Sequence, residues 1–222
     1  MVAQRLSVVV PALNEASGIH AALEALAPLR SRGHEVIVAD GGSEDGTAQL
    51  AAGRCDRLVL APRGRAAQMN AGARAASGEA LVFLHADTRL PPLAEALIFQ
   101  ALRFSSWGRF DVNIEGRHRL LKVVGCAMNL RSRLTGIATG DQAIFVRRDA
   151  FPGFAEIPLM EDIAFSDTMR RRSPPACLRE RVVTSGRRWE AHGVLRTIVL
   201  MWRLRLEYAL GVDPVRLAER YR

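Results

Sequence analysis

Three short apolar runs each end in polar residues that can bind a ligand or move a proton: Pro11-Ala12-Leu13-Asn14-Glu15, Asp40-Gly41-Gly42-Ser43 and His85-Ala86-Asp87. Asp87 directly follows the run Leu81 to Leu84, so a strand would hold it rigidly as a hard oxygen ligand. One or two such carboxylates, together with substrate phosphates, suffice to bind magnesium or manganese. The same spacing also serves a helix cap ahead of Pro91. Asp40 has two readings: a proton acceptor toward the base or ribose of a nucleotide, or the closure of a tight turn with Ser43. Glu161-Asp162 opens a predicted helix, where adjacent acids either favour the dipole or supply a catalytic base. Arg187-Arg188-Trp189 offers two guanidinium forks and an indole able to stack on a sugar or base, a composition that an ordinary basic loop shares. Gly140-Asp141-Gln142, ahead of a predicted strand, adds one further acid.

The glycine-rich loops do not match the common phosphate-binding fingerprints. Gly41 and Gly46 have phosphate-loop spacing, but Thr47 and Ala48 stand where Lys and Ser or Thr are needed, and Glu44 and Asp45 would repel a phosphate. No GxGxxG follows the first apolar run. An acidic loop at this place suits a neutral hydrogen-bonding ligand.

These residues need elements to position them, and the pattern supplies strands at Leu6 to Val10, Glu35 to Ala39, Arg57 to Leu60 and Leu81 to Leu84. Helical spacing of Ile19, Leu23 and Leu26, a helix capped by Ser43, an alanine-rich helix at 65–76 and one from Pro91-Pro92 to about Phe104 alternate with them. Such alternation implies right-handed crossovers, a mostly parallel sheet with helices on both faces, and a ligand beyond the carboxyl ends of the strands. Beyond residue 105 the pattern loosens. It predicts strands at 109–114 and 142–146 and helices at 117–133, 161–172 and 194–210.

The 222 residues are 49% apolar and 24% charged, a balance that excludes disordered and fibrous classes. Cys55, Cys126 and Cys177 are too widely spaced for a disulfide framework or zinc site and read as buried thiols of a reducing cytoplasm. No stretch approaches the roughly 18 apolar residues of a membrane span. The expected location is cytoplasmic, with peripheral contact at the inner membrane face left open. Residues 163–222 hold 13 Arg and 6 Asp or Glu, so +7 of the net +8 charge lies in the last quarter of the chain. A phosphate-bearing or anionic-membrane partner would suit that segment, as would a solvated basic face.

Taken in order, PALNE (11–15), VADGGSEDGT (38–47), GRAAQMNAGA (64–73), LVFLHADT (81–88), TGDQAIFVRR (139–148), MEDIAFSDTMRR (160–171) and RRW (187–189) resemble the family 2 glycosyltransferases. The short length is similar to a bacterial subgroup named for arsenosugar biosynthesis. The resemblance implies an α/β fold of GT-A type, a Rossmann-like three-layer sandwich around a mostly parallel mixed sheet. Residues 1–222 would form one domain, with a nucleotide-sugar-binding half at 1–104 and an acceptor-side half at 105–222 that ends in a basic helical segment. It further implies that Pro11, Asn14, Glu15, Asp40, Gly41, Ser43, Arg65, Arg188 and Trp189 line the donor site. Asp87 corresponds to the last acid of the family's DxD motif, with His85 in place of the first and His192 available to complete a Mn2+ or Mg2+ site. Asp162 resembles the general base, with Glu161 beside it to position the acceptor. Arg188-Trp189 is similar to the RW of QxxRW, but position 185 is Ser, and the membrane helices of polymerising members are absent, so no polymer product is expected.

The implied activity is metal-dependent, inverting transfer of a sugar from a nucleotide-diphosphate donor, UDP being the commonest in the family, to a hydroxyl of a small-molecule or lipid-linked acceptor. Two other readings compete. One is a nucleic-acid or anionic-membrane binding module built on the Arg-rich segment, with Ile198, Met201, Trp202 and Leu206 facing lipid; sparse aromatics argue against nucleic acid as partner. The other is nucleotidyl transfer, which would also use Asp87 and a divalent metal but usually needs a basic glycine-rich triphosphate loop.

Overall fold

The computed structural model describes residues 4–221. In the first half, β1 (Leu6–Ala12), α1 (Ala16–Ser31), β2 (Glu35–Asp40), α2 (Thr47–Ala51), β3 (Arg57–Leu60), α3 (Arg65–Ala75) and β4 (Ala80–Phe83) alternate as the sequence pattern predicts. The second half runs β5 (Thr88–Arg89), α4 (Ala94–Leu102), β6 (Trp107–Glu115), α5 (Leu120–Thr135), β7 (Phe145–Arg147), α6 (Glu161–Arg170), β8 (Ala176–Ser185), α7 (Arg187–His192), α8 (Val194–Ala209) and α9 (Pro214–Tyr221). One eight-stranded sheet passes through both halves in the order β3-β2-β1-β4-β7-β6-β8-β5. Neighbours from β3 to β4 are parallel, as are β6 and β8, while β7 and β5 run antiparallel to theirs. This is the mostly parallel mixed sheet of the expected α/β class.

The central strands are buried on both faces, which is why they read as continuous apolar runs. Side chains of a strand alternate between faces, and the core divides accordingly. Leu6, Val8, Val10, Val36, Val38 and Val82 pack with Ile19, Leu23, Leu26 and Ile98 of α1 and α4. Val9, Ile37, Leu81 and Phe83 point the other way, onto Ala66, Met69 and Ala73 of α3 and Phe165 and Met169 of α6. α3 comes unusually close to the sheet: a Cβ on Gly72 would stand 2.4 Å from Val9. Its small residues are therefore a packing requirement.

α5 is fixed to β6 by a buried charge. Arg109 is wholly buried and donates to Ser132 Oγ and to Asn129 O while pairing with Asp111. A third apolar cluster joins Leu204 of α8 and Leu217 of α9 to Leu159 and Met160, the residues that lead into α6.

Several sequence expectations are corrected. Ser43 caps no helix; α2 starts at Thr47, whose amide and hydroxyl both reach Asp45, because Ser43 is taken up by the preceding turn. The helix after Pro91-Pro92 begins only at Ala94, since Leu93 has φ 55°. The strand at 142–146 shrinks to β7 because Gly140–Gln142 forms a 3-10 turn. The apolar pattern does not mark β5, β8, α7 or α9; β8 is masked by its charged stretch Arg179-Glu180-Arg181. Of the three cysteines expected to be buried, Cys126 is exposed and Cys55 and Cys177 are only partly buried. Ile198 and Met201 face inward from α8, while Trp202 and Leu206 face outward with Leu195 and Val199. No helix among the described residues is long and apolar enough to cross a membrane.

Candidate active site

The carboxyl ends of β1, β2 and β4 lie side by side because the three strands are parallel and β1 is central among them. The loops after β1 and β2 meet there and are laced together by their motif residues. Asn14 sits at φ 55°, a left-handed conformation that a short polar side chain tolerates. Its amide donates to Ser43 Oγ at 2.9 Å, and its Oδ1 accepts from Glu44 N at 3.0 Å. Glu15 N donates to Thr47 Oγ1 at 2.8 Å and Ala16 N to Asp45 at 2.9 Å. Asp40 is buried, and its carboxylate accepts from Gly42 N at 3.0 Å, Ser43 N at 2.9 Å and the Ser43 hydroxyl. Of its two readings, turn closure is the role these contacts display.

α3 supports the same loops from below. Gly41 leaves space for Gln68, whose amide a Cβ at that position would meet at 2.9 Å. Gln68 Nε2 donates to Ala12 O at 2.5 Å and to Ala39 O at 3.1 Å, tying the ends of β1 and β2 together. Nothing in the sequence marks Gln68 beyond its place in the GRAAQMNAGA segment.

Beyond β4, His85 Nδ1 stands 3.3 Å from Asp141 Oδ1, and its Nε2 is buried without a partner beside Gly140. Asp87 is exposed. Glu15 is half-buried, 4.0 Å from Arg187; burial first, and then the negative charge of Asp87, push its carboxyl above the usual range. At Asp141, hydrogen bonding to His85 and the charges of His85, Arg65 and Arg188 outweigh burial, which opposes them, and hold the carboxyl below that range. Asp141 is thus a site residue that the sequence reading left in the background.

Asp162 is the second residue of α6, after Glu161 and the capping Met160 at φ 70°. Its Oδ2 accepts from Gly140 N at 3.0 Å and its Oδ1 from Ile163 N at 2.8 Å. Burial and the neighbouring Glu161 push its pKa up to about 6. Glu161 is itself buried, with Oε1 3.2 Å from Arg65 Nη1. Two consecutive residues of the 3-10 turn, Gly140 and Asp141, therefore join His85 to Asp162, and Arg65 crosses from α3 to α6.

The C-terminal elements complete this edge unevenly. Arg188 lies over the ring of Tyr221 with 4.0 Å to the centroid, and Arg65, Asp141 and Asp162 all act on that phenol. Trp189 packs against the core. His192 is exposed on α7, its Nδ1 3.0 Å from Arg188 O in its own helix, and no contact joins it to His85 or Asp87.

Among the described residues, no three His, Cys, Asp or Glu side chains converge as a ready-made metal cage. An exposed carboxylate at Asp87, two positions along the chain from an imidazole whose buried Nε2 has no partner, nevertheless fits a hard divalent ion that takes its remaining ligands from substrate phosphates and water.

The model of a family described as glycosyl transferase family 2 matches residues 7–117. No curated protein sequence matches the chain. Among solved structures, glucosyl-3-phosphoglycerate synthase from Mycobacterium tuberculosis, in complex with Mn2+, UDP and glucosyl-3-phosphoglycerate, is 20% identical with a TM-score of 0.59; the match covers 82% of this chain and 71% of that one. S. aureus TarS 1-349 in complex with UDP-GlcNAc is 18% identical with a TM-score of 0.64, over 82% of this chain and 58% of that one. At these identities the likeness is one of fold.

Proposed function

The chain belongs to glycosyl transferase family 2, and we propose that it moves a sugar, with inversion, from a nucleotide-diphosphate donor to a hydroxyl acceptor. The observation that carries this reading is Asp162: a carboxylate with its pKa near 6, held by the Gly140 amide and linked through Asp141 to the histidine on the metal side. A general base works best when its pKa lies near the working pH.

In this mechanism the acceptor oxygen bonds to the anomeric carbon as the bond to the diphosphate oxygen breaks. The leaving group takes the electron pair, and the hydroxyl proton passes to Asp162. A divalent ion, when bound by Asp87 with His85, supplies positive charge for the diphosphate. The laced loops of Pro11, Asn14, Glu15, Gly41 and Ser43 form the floor for the nucleotide, with Asp40 holding their shape. Arg65 and Arg188, both acting on Asp141, add cationic charge where the leaving group develops its own. Glu161 keeps Arg65 in place, and Trp189 anchors α7, the helix that carries Arg188.

The nucleotide and metals printed for the structural neighbours, UDP with Mn2+ or Mg2+, make uridine the first base to try. The test is thermal stability with UDP, GDP, dTDP and ADP, each with manganese, magnesium or chelator. A ligand at 100 times its dissociation constant adds about 2.7 kcal/mol, enough to read as a melting shift. One diphosphate is expected to stabilise only with metal, and Asp87→Ala to abolish that shift. No shift with any pair would overturn the donor assignment. Release of pyrophosphate instead of nucleoside diphosphate in product analysis would favour nucleotidyl transfer.

A further inference from the structure

α8 is apolar on two faces, and only one of them is packed. Val194 and Leu204 are buried, and Ile198, Leu200 and Met201 lie against the neighbouring apolar clusters. On the other side Leu195, Val199, Trp202, Leu206 and the capping Leu210 follow one another at steps of three or four residues and so share one face. Each of the five is between 63% and 76% exposed. Single exposed apolar residues are ordinary, but an unbroken row of large ones along a helix marks an interaction surface. Of the four side chains that the sequence pattern turns toward lipid, Trp202 and Leu206 belong to this row. α5, which packs against α8, leaves Val123, Leu130 and Leu134 exposed as well.

Charge decides what the row can meet. Arg196 and Arg203, seven positions apart, directly follow Leu195 and Trp202 and form an exposed border along it. α5 and α8 carry three basic residues each and a single acid between them, Glu207. That carboxylate is already engaged, accepting from Arg203 Nε at 2.8 Å and from Arg220 Nη1 at 2.5 Å. A second copy of the chain docked through the same face by two-fold symmetry would set these cations against one another, with no free carboxylate of either helix to meet them. An anionic bilayer answers both features. Its acyl boundary takes the aliphatic side chains, its headgroup layer suits the indole of Trp202, and its phosphates attract the bordering guanidinium groups.

We propose that the outer face of α8 docks the protein on an anionic lipid bilayer, with the helix lying along the surface. The inference goes beyond the transfer reaction and does not depend on it. The packed face of the same helix holds Leu204 against Leu159 and Met160, the residues that lead into α6, so a docked molecule keeps the start of α6 one helix away from the lipid.

The test floats the protein with phosphatidylcholine vesicles, with and without phosphatidylglycerol, at low and high salt, and follows tryptophan emission. The protein is expected to float with the anionic vesicles, less so at high salt because the headgroup charge is screened. Emission should shift to the blue, since Trp202 is exposed whereas Trp107 is wholly buried. Replacing both Trp202→Glu and Leu206→Glu should weaken vesicle binding about tenfold or more. Arg196→Gln with Arg203→Gln should weaken it on anionic vesicles alone. Phe104→Glu, at an exposed apolar residue outside the row, should change nothing. Because the replaced side chains are exposed, the melting temperature and any shift with UDP and Mn2+ should stay as in the unmodified protein. A protein that remains in the soluble fraction with anionic vesicles, or floats equally well with Trp202→Glu and Leu206→Glu, would overturn the proposal. So would a dimer in solution that those two replacements dissociate, which would assign the face to a second copy. Absence of a UDP shift with flotation intact would count against the donor reading and leave the docking surface standing.

Discussion

The amide of Gly140 donates to Asp162 Oδ2 at 3.0 Å, and the next residue, Asp141, is the partner of His85. One 3-10 turn thus sets the distance between the candidate base and the candidate metal ligand. Gly140 is required at that point, since a Cβ there would lie 2.5 Å from His85 Nε2.

The acid limb of the reaction should follow Asp162. Its pKa is raised to about 6 by burial and by Glu161, so below pH 6 the base is increasingly protonated and kcat should fall about tenfold per pH unit, with a plateau above. Asp162→Asn should lower the rate by about 10²- to 10⁴-fold while donor binding is kept. Full activity of Asp162→Asn against the true acceptor would remove the base assignment.

His85 is expected to act on the metal both as a ligand and through Asp141. Replacing it with Ala should weaken metal-dependent UDP binding about 10- to 100-fold, measured by titrating Mn2+ against the UDP-induced melting shift. An unchanged Mn2+ midpoint would leave Asp87 as the sole protein ligand on this side.

Gln68→Ala should cost about 1–3 kcal/mol in urea unfolding, because the Ala12 and Ala39 carbonyls lose their shared donor in the interior. Diphosphate affinity should fall as well, since the two loops start at those strand ends. Gly41→Ala should act in the same direction by displacing the Gln68 amide.

At the amino end of β2, opposite the site, Glu35 is buried. Burial opposes its charge, but hydrogen bonds from Ser7 and Ser77 outweigh that and hold its carboxyl below the usual range. Stability from this group is present above the unfolded-state pKa of about 4.3 and is lost as pH falls through the lower native value. Glu35→Gln should destabilise the protein at pH 7 by about 1.5–3 kcal/mol, flatten the acid limb of the stability curve and leave UDP binding unchanged. Paired urea titrations at pH 7 and pH 3 would read both effects.

The alternating apolar runs and turns of the first hundred residues were enough to place β1 to β4 and their helices within a few residues, because strands buried on both faces write their burial directly into composition. The motif order also carried the family; type and position marked Asp87 as a candidate hard oxygen ligand, whereas for Asp162 they left helix dipole and base open, and only the resemblance favoured the base. Partnership was invisible at that level. That Asp40 closes its own turn, that Glu161 is paired with Arg65 ninety-six positions away, that Asp141 receives His85 and that Tyr221 returns beneath Arg188 all depend on segments meeting across the sheet. Only the tertiary structure decided these partnerships, because the energy of a charge is set by its surroundings rather than by its neighbours in the chain.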